Sequence, residues 1–162
     1  MRHKKLPISL LKKPVHFLAL GFGSGLAPKA PGTAGTLMAV PLFLLLQLLD
    51  TQFYIAVVVF ISLIGIYICE QSSKLMGVHD HPGIVWDEFA GYFITMIAVP
   101  FEWIWVLLGF VLFRFFDIVK PQPIGWLDKN VKGGLGIMID DVIAGVMAGI
   151  CLHLIIWASQ YA

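Results

Sequence analysis

Five carboxylates stand within or beside long apolar runs: Asp87, Glu88, Asp117, Asp140 and Asp141. An acid in such a place is costly unless it is paired, solvated or bound to a cation, and so it marks function by default. Asp87 and Glu88 sit in Ile84-Val-Trp-Asp-Glu-Phe-Ala-Gly91. Adjacent helical residues point about 100° apart, but a cation at the helix mouth could take oxygens from both. Asp140 and Asp141 follow the flexible stretch Gly133-Gly-Leu-Gly136 at the start of another apolar run. Each pair has a plain alternative, as acids complementing a helix dipole or as an N-cap. Repetition of the arrangement favours a metal site of Asp87, Glu88, Asp140 and Asp141. Oxygen-only ligation suits Mg²⁺ or Mn²⁺ rather than zinc.

Arg114, Asp117 and Lys120 recur at spacings of three in Arg114-Phe-Phe-Asp-Ile-Val-Lys-Pro-Gln-Pro123, which places Arg114 beside Asp117 and Asp117 beside Lys120 on one helix face. A structural ion pair and a phosphate clamp both fit this cluster, the second because arginine offers a bidentate fork. Gly21-Phe-Gly-Ser-Gly25 and Pro31-Gly-Thr-Ala-Gly-Thr36 could present backbone N–H groups and the hydroxyls of Ser24, Thr33 and Thr36 to an anion, although small-residue packing suits Gly32 and Gly35 better. Lys29 lies between the two stretches. His79-Asp-His81 reads as a solvated turn, a metal pair or a proton-transfer group. The chain has no Walker loop, nucleophile elbow or cysteine phosphatase loop, so covalent chemistry through serine or cysteine lacks its usual frame.

These residues need elements to hold them. The 162-residue chain is 59% hydrophobic and 13% charged, about half the charged share usual in soluble domains, which indicates a single integral-membrane domain over 1–162. The expectation is all-α: a polytopic bundle of about five spans, Thr33–Leu49, Phe53–Cys69, Ile84–Pro100, Ile104–Val119 and Ile137–Ala158. The apolar segment Val15–Ala27 resembles a signal peptide, but Gly21, Gly23 and Gly25 interrupt its core, and it reads instead as a re-entrant or interfacial piece. Cys69 and Cys151 lack metal or redox spacing and read as thiols in apolar helices. With Thr33 entering from the N-terminal side, all eleven lysines and arginines fall on that side, which makes it, and the acids beside it, cytoplasmic. A net charge of +1 with no basic face argues against nucleic acid as a partner.

Taken in order, Gly23-Ser-Gly25, Pro31-Gly-Thr33, Gly77-Val-His-Asp-His81, Val85-Trp-Asp-Glu88, Arg114 to Pro123 and Gly133 to Asp141 resemble the phosphatidylglycerophosphatase A family of bacterial inner-membrane lipid phosphatases. The resemblance runs from about Phe22 to Gly145. It implies Mg²⁺-dependent removal of the terminal phosphate from phosphatidylglycerophosphate, leaving phosphatidylglycerol and inorganic phosphate. Under that reading Asp87, Glu88, Asp117, Asp141 and His81 are the catalytic candidates. Arg114, Lys120, Lys29, Ser24 and Thr33 are the candidates for substrate binding. A metal-activated water and an aspartyl-phosphate intermediate are both open. A small ion or proton transporter is the alternative from another class; it predicts acids spread through the bilayer depth, whereas here they gather at one face.

Overall fold

The computed structural model describes residues 6–78 and 81–161. A 3-10 turn over Ile8–Lys12 leads into α1 (Pro14–Ala19) and a second 3-10 segment, Gly21–Leu26. Then come α2 (Pro31–Leu46), α3 (Thr51–Met76), α4 (Trp86–Thr95), α5 (Trp103–Val119), α6 (Ile124–Asn130) and α7 (Gly133–Ser159). There is no strand among the described residues. His79 and Asp80 of the histidine motif lie outside them.

Helix ends follow local chemistry. Pro31 starts α2 at a position where its missing N–H costs nothing. Gly77 ends α3 at φ 68°, with its N–H on the Lys74 carbonyl and the Val78 N–H on that of Ser73. Lys120 closes α5 in the left-handed region at φ 45°, ψ 56°, and Pro121 follows. The Glu70 carboxylate of α3 accepts the N–H of Gly134 and so caps α7 from a distant part of the chain.

Two helices, α3 with 26 residues and α7 with 27, are long and apolar enough to cross a membrane. At 1.5 Å per residue each is roughly 40 Å long, against a hydrocarbon core of about 30 Å. The other expected spans are shorter as helices. α2 has 16 residues and α5 has 17. α4 has only 10, and its run to Pro100 ends in a turn containing Ala98 at φ 56°. The stretch expected as a break after Pro121 holds α6 and the first turn of α7.

α7 is the central element and packs against α3, α4, α5 and α6. α4 is enclosed, with every residue from Asp87 to Phe93 buried. Small residues allow the close approach: a Cβ on Gly145 would run into the Gly91 carbonyl, and one on Gly91 into the Phe113 ring. Thr95 Oγ1 donates to the Gly91 carbonyl at 2.9 Å. The N-terminal segment braces the start of α4. The Val85 N–H donates to the Ala19 carbonyl at 2.8 Å, and Phe22 packs edge-on against Phe89 at 6.0 Å.

Candidate active site

A cavity of about 250 Å³ opens where α2, α4, α5 and α7 meet, lined by all five carboxylates together with Arg114, Lys120 and the backbone of Ala30 to Gly32. Asp87 and Glu88 come from the first turn of α4, and Asp141 from α7. One oxygen of each of these three buried acids lies within 4.8 Å of the others. At that spacing three carboxylates repel strongly in a poorly screened site, and an ion bound by oxygens relieves it. Glu88 Oε2 and Asp140 Oδ1 are buried and make no hydrogen bond to any described residue, as expected of atoms kept for a cation or a bound group. Asp87, Glu88 and Asp141 could hold a metal ion.

Asp140 does not join that group. Its Oδ2 accepts from Lys120 Nζ at 2.5 Å, and the same ammonium donates to Asp128 Oδ1 on α6 at 2.6 Å. Burial pulls the Lys120 ammonium down, and the two carboxylates outweigh that and hold it above its ordinary value. Lys120 is therefore paired with Asp128 and Asp140, not with Asp117 as the spacing of three suggested. The reason is its left-handed backbone, which turns the side chain off the α5 face. Arg114 does meet Asp117, Nη1 to Oδ2 at 2.7 Å, and the same nitrogen lies 3.7 Å from Glu88 Oε1 and 3.5 Å from Thr36 Oγ1.

The N-cap alternative for Asp140 and Asp141 fails, because α7 begins at Gly133 and the acids sit about two turns inside it. Of the residues expected on the substrate, Arg114 and Lys120 line the cavity, and Lys29, Ser24 and Thr33 do not. Lys29 is exposed, next in the chain to Ala30 of the cavity wall. Ser24 Oγ donates to the Gly21 carbonyl at 2.8 Å. Thr33 is partly buried in the first turn of α2. His81 is buried beside the cavity residue Pro82, and its Nδ1 accepts the Gly83 N–H at 3.0 Å. Two contacts were not foreseen, one beside the cavity and one in its wall. Asp128 lay in a stretch read as a loop, and Gly32, read as packing, faces Glu88 and Arg114.

A larger groove of about 670 Å³ lies between α4 and α7, lined by apolar side chains such as Ile94, Ile150 and Trp157 and without a carboxylate. The five acids, Arg114 and Lys120 all line the smaller cavity.

The fold and the site define an all-helical, membrane-type protein with a buried acidic cavity that also holds an arginine and a lysine. Residues 17–156 match the family described as Phosphatidylglycerophosphatase A, and the chain belongs to that family. It is 53% identical to phosphatidylglycerophosphatase A of Escherichia coli K12 over 95% of this chain and 91% of that protein. With the Haemophilus influenzae phosphatidylglycerophosphatase A it shares 49% identity over 95% of this chain and 93% of the other. A Bacteroides thetaiotaomicron protein named putative phosphatidylinositol-3-phosphatase is 41% identical over 86% of this chain and 92% of its own length. No solved structure matches the chain.

Proposed function

We propose that the chain is a lipid phosphatase that hydrolyses the terminal phosphomonoester of phosphatidylglycerophosphate to phosphatidylglycerol and inorganic phosphate. Its relatives carry the name of that activity. The observation that carries the reading for this chain is the convergence of Asp87, Glu88 and Asp141 beside Arg114, at the N-terminus of α2. Five carboxylates against two cations would repel a phosphate dianion, so a phosphatase built on this cavity requires a bound cation. Mg²⁺ fits the oxygen-only donors, with Asp87, Glu88 and Asp141 as its holders. When bound, it supplies positive charge against the phosphoryl oxygens and makes nearby water more acidic.

The chain's own residues do the rest. Arg114 and the first N–H groups of α2 face the equatorial phosphoryl oxygens. Lys120 has three N–H donors, of which Asp128 and Asp140 occupy two, which leaves the third for the phosphate. Asp117, oriented by Arg114, takes the proton from the attacking water. The water oxygen bonds to phosphorus, the bond from phosphorus to the glycerol oxygen breaks, and that oxygen leaves as a hydroxyl with a proton from solvent, to which Asp117 releases the one it took. The gathering of the acids in one cavity supports hydrolysis over a transporter relay, which needs acids at successive depths.

The setting completes the reading. The protein is a multi-pass protein of the bacterial inner membrane, with its N-terminus and cavity on the cytoplasmic face, supported by the placement of all eleven cationic residues on one side of the expected spans. There the phosphate of a membrane lipid reaches the cavity while its acyl chains stay in the bilayer. The test is phosphate release by the purified chain in detergent, from phosphatidylglycerophosphate and from soluble glycerol phosphate. Release from the lipid alone, stopped by EDTA and restored by Mg²⁺, is expected; an inactive but folded protein given lipid and Mg²⁺ refutes the reading.

A further inference from the structure

Lys120 is held in place by three separate features. Its backbone lies in the left-handed region at φ 45°, a conformation that L side chains rarely adopt. α6 packs directly on it: a Cβ on Gly125 would lie 2.8 Å from the Lys120 carbonyl oxygen, and the neighbouring Ile124 is fully buried. Two carboxylates from different helices, Asp128 and Asp140, then grip the ammonium at 2.6 and 2.5 Å. A phosphate ligand alone would need no such anchoring.

Phosphate-cleaving sites with two metal ions place the ions about 3.5–4 Å apart, one on each side of the reacting group. In this cavity the three converging acids provide one cation position. A second acidic pair, Asp140 of the cavity wall and Asp128 of α6 outside it, is closed by a lysine. An ammonium is a compact point charge and can stand where a second ion would. Asp140 carries a second mark of a cation-facing group: its Oδ1 is buried, lies in the cavity wall and makes no hydrogen bond to a described residue.

We infer that Lys120 is a built-in cation of the site, fixed by Asp128 and Asp140 in the place of a second metal, so that the chain binds a single divalent ion. The inference rests on the metal reading of the cavity and goes beyond it by assigning stoichiometry and a role to Asp128. It makes Asp128 a positioning residue, which acts through Lys120 and touches neither phosphate nor ion.

The experiment is titration of the full chain in detergent micelles with Mn²⁺, counting bound ions from the electron paramagnetic resonance signal of the free ion. An Asp87→Asn, Glu88→Gln, Asp141→Asn protein supplies the background from detergent and surface groups. Wild type is expected to bind one ion above that background. Lys120→Met frees Asp128 and Asp140 and is expected to gain a second, weaker site, at least about tenfold lower in affinity. Adding Asp128→Asn and Asp140→Asn to Lys120→Met should return the count to one, and Lys120→Arg should keep it at one. Two ions in wild type overturn the inference, as does a single ion in a Lys120→Met protein that keeps the wild-type melting midpoint. If Lys120→Met does not fold, the wild-type and Lys120→Arg counts decide. No binding by wild type above background refutes the metal reading itself, a different result from two ions.

Discussion

Gly32 of α2 and Glu88 of α4 approach so closely that a methyl group on Gly32 would overlap Glu88 Oε1 and come within 3.1 and 3.2 Å of the two terminal nitrogens of Arg114. Here a missing side chain lets the N-terminus of α2 reach an acid and a guanidinium. Gly32→Ala is expected to displace both groups while leaving the bundle folded. A shift of about 1 Å at a catalytic site can cost roughly a hundredfold, so kcat/KM should fall by that order with little change in melting midpoint. Near-normal turnover would show that the contact is only packing.

Arg114 separates a phosphate ligand from a structural ion pair. Lysine keeps the charge but loses the fork, and the expected loss is about 2–3 kcal/mol of transition-state stabilisation, roughly thirty- to more than a hundredfold in rate. The informative comparison is Arg114→Lys in wild type and in an Asp117→Asn background. A phosphate role leaves the penalty in both. If it disappears once Asp117 is neutral, Arg114 serves Asp117 and the phosphate must rest on Lys120 and the α2 backbone.

Replacing Asp141 with Asn removes one of the three converging oxygen donors and leaves the helix intact. Loss of several kcal/mol of charge stabilisation corresponds to at least about a hundredfold in rate. The Mg²⁺ concentration for half-activation should rise as well. An Asp141→Asn enzyme with unchanged turnover at limiting Mg²⁺ excludes Asp141 as a ligand.

His16 makes stability fall in acid. It is buried on α1 with Nδ1 2.8 Å from Ser72 Oγ, and burial, then the charge of Lys13, lowers its pKa. The folded state therefore favours the neutral ring, and unfolding takes up a proton once pH drops below the free value of about 6.5. Stability from this group is complete above that pH and is lost as pH falls through it. The melting midpoint in detergent should drop as pH falls below about 6.5, and His16→Gln should flatten this limb. An unchanged acid limb in the variant assigns it to other groups.

Orientation is open to labelling in cells. Single cysteines placed at Lys129, on α6, and at Glu102, before α5, should lie on opposite faces. An impermeant thiol reagent added outside intact spheroplasts is expected to reach the second and not the first. The reverse pattern inverts the topology.

The helical class, the membrane-type composition and the five acids are legible in the sequence, because a carboxylate among apolar residues is costly and so stands out wherever it occurs. The pairing of Arg114 with Asp117 is also legible, since a spacing of three within one helix fixes that neighbour. Lys120 shows where such reasoning stops. The same spacing pointed it at Asp117, but a left-handed residue at the helix end sends it to Asp128 and Asp140. The depth of Asp140 and Asp141 in α7 also depends on a remote group, the Glu70 carboxylate that caps the helix earlier than the local sequence suggests. α4 could not be measured from hydropathy, because burial on all sides makes a ten-residue helix as apolar as part of a span. Sequence by itself determined which residues are too costly to be idle. Only the tertiary structure decided which of them meet, because contacts between distant segments depend on helix ends and close backbone packing that no local pattern encodes.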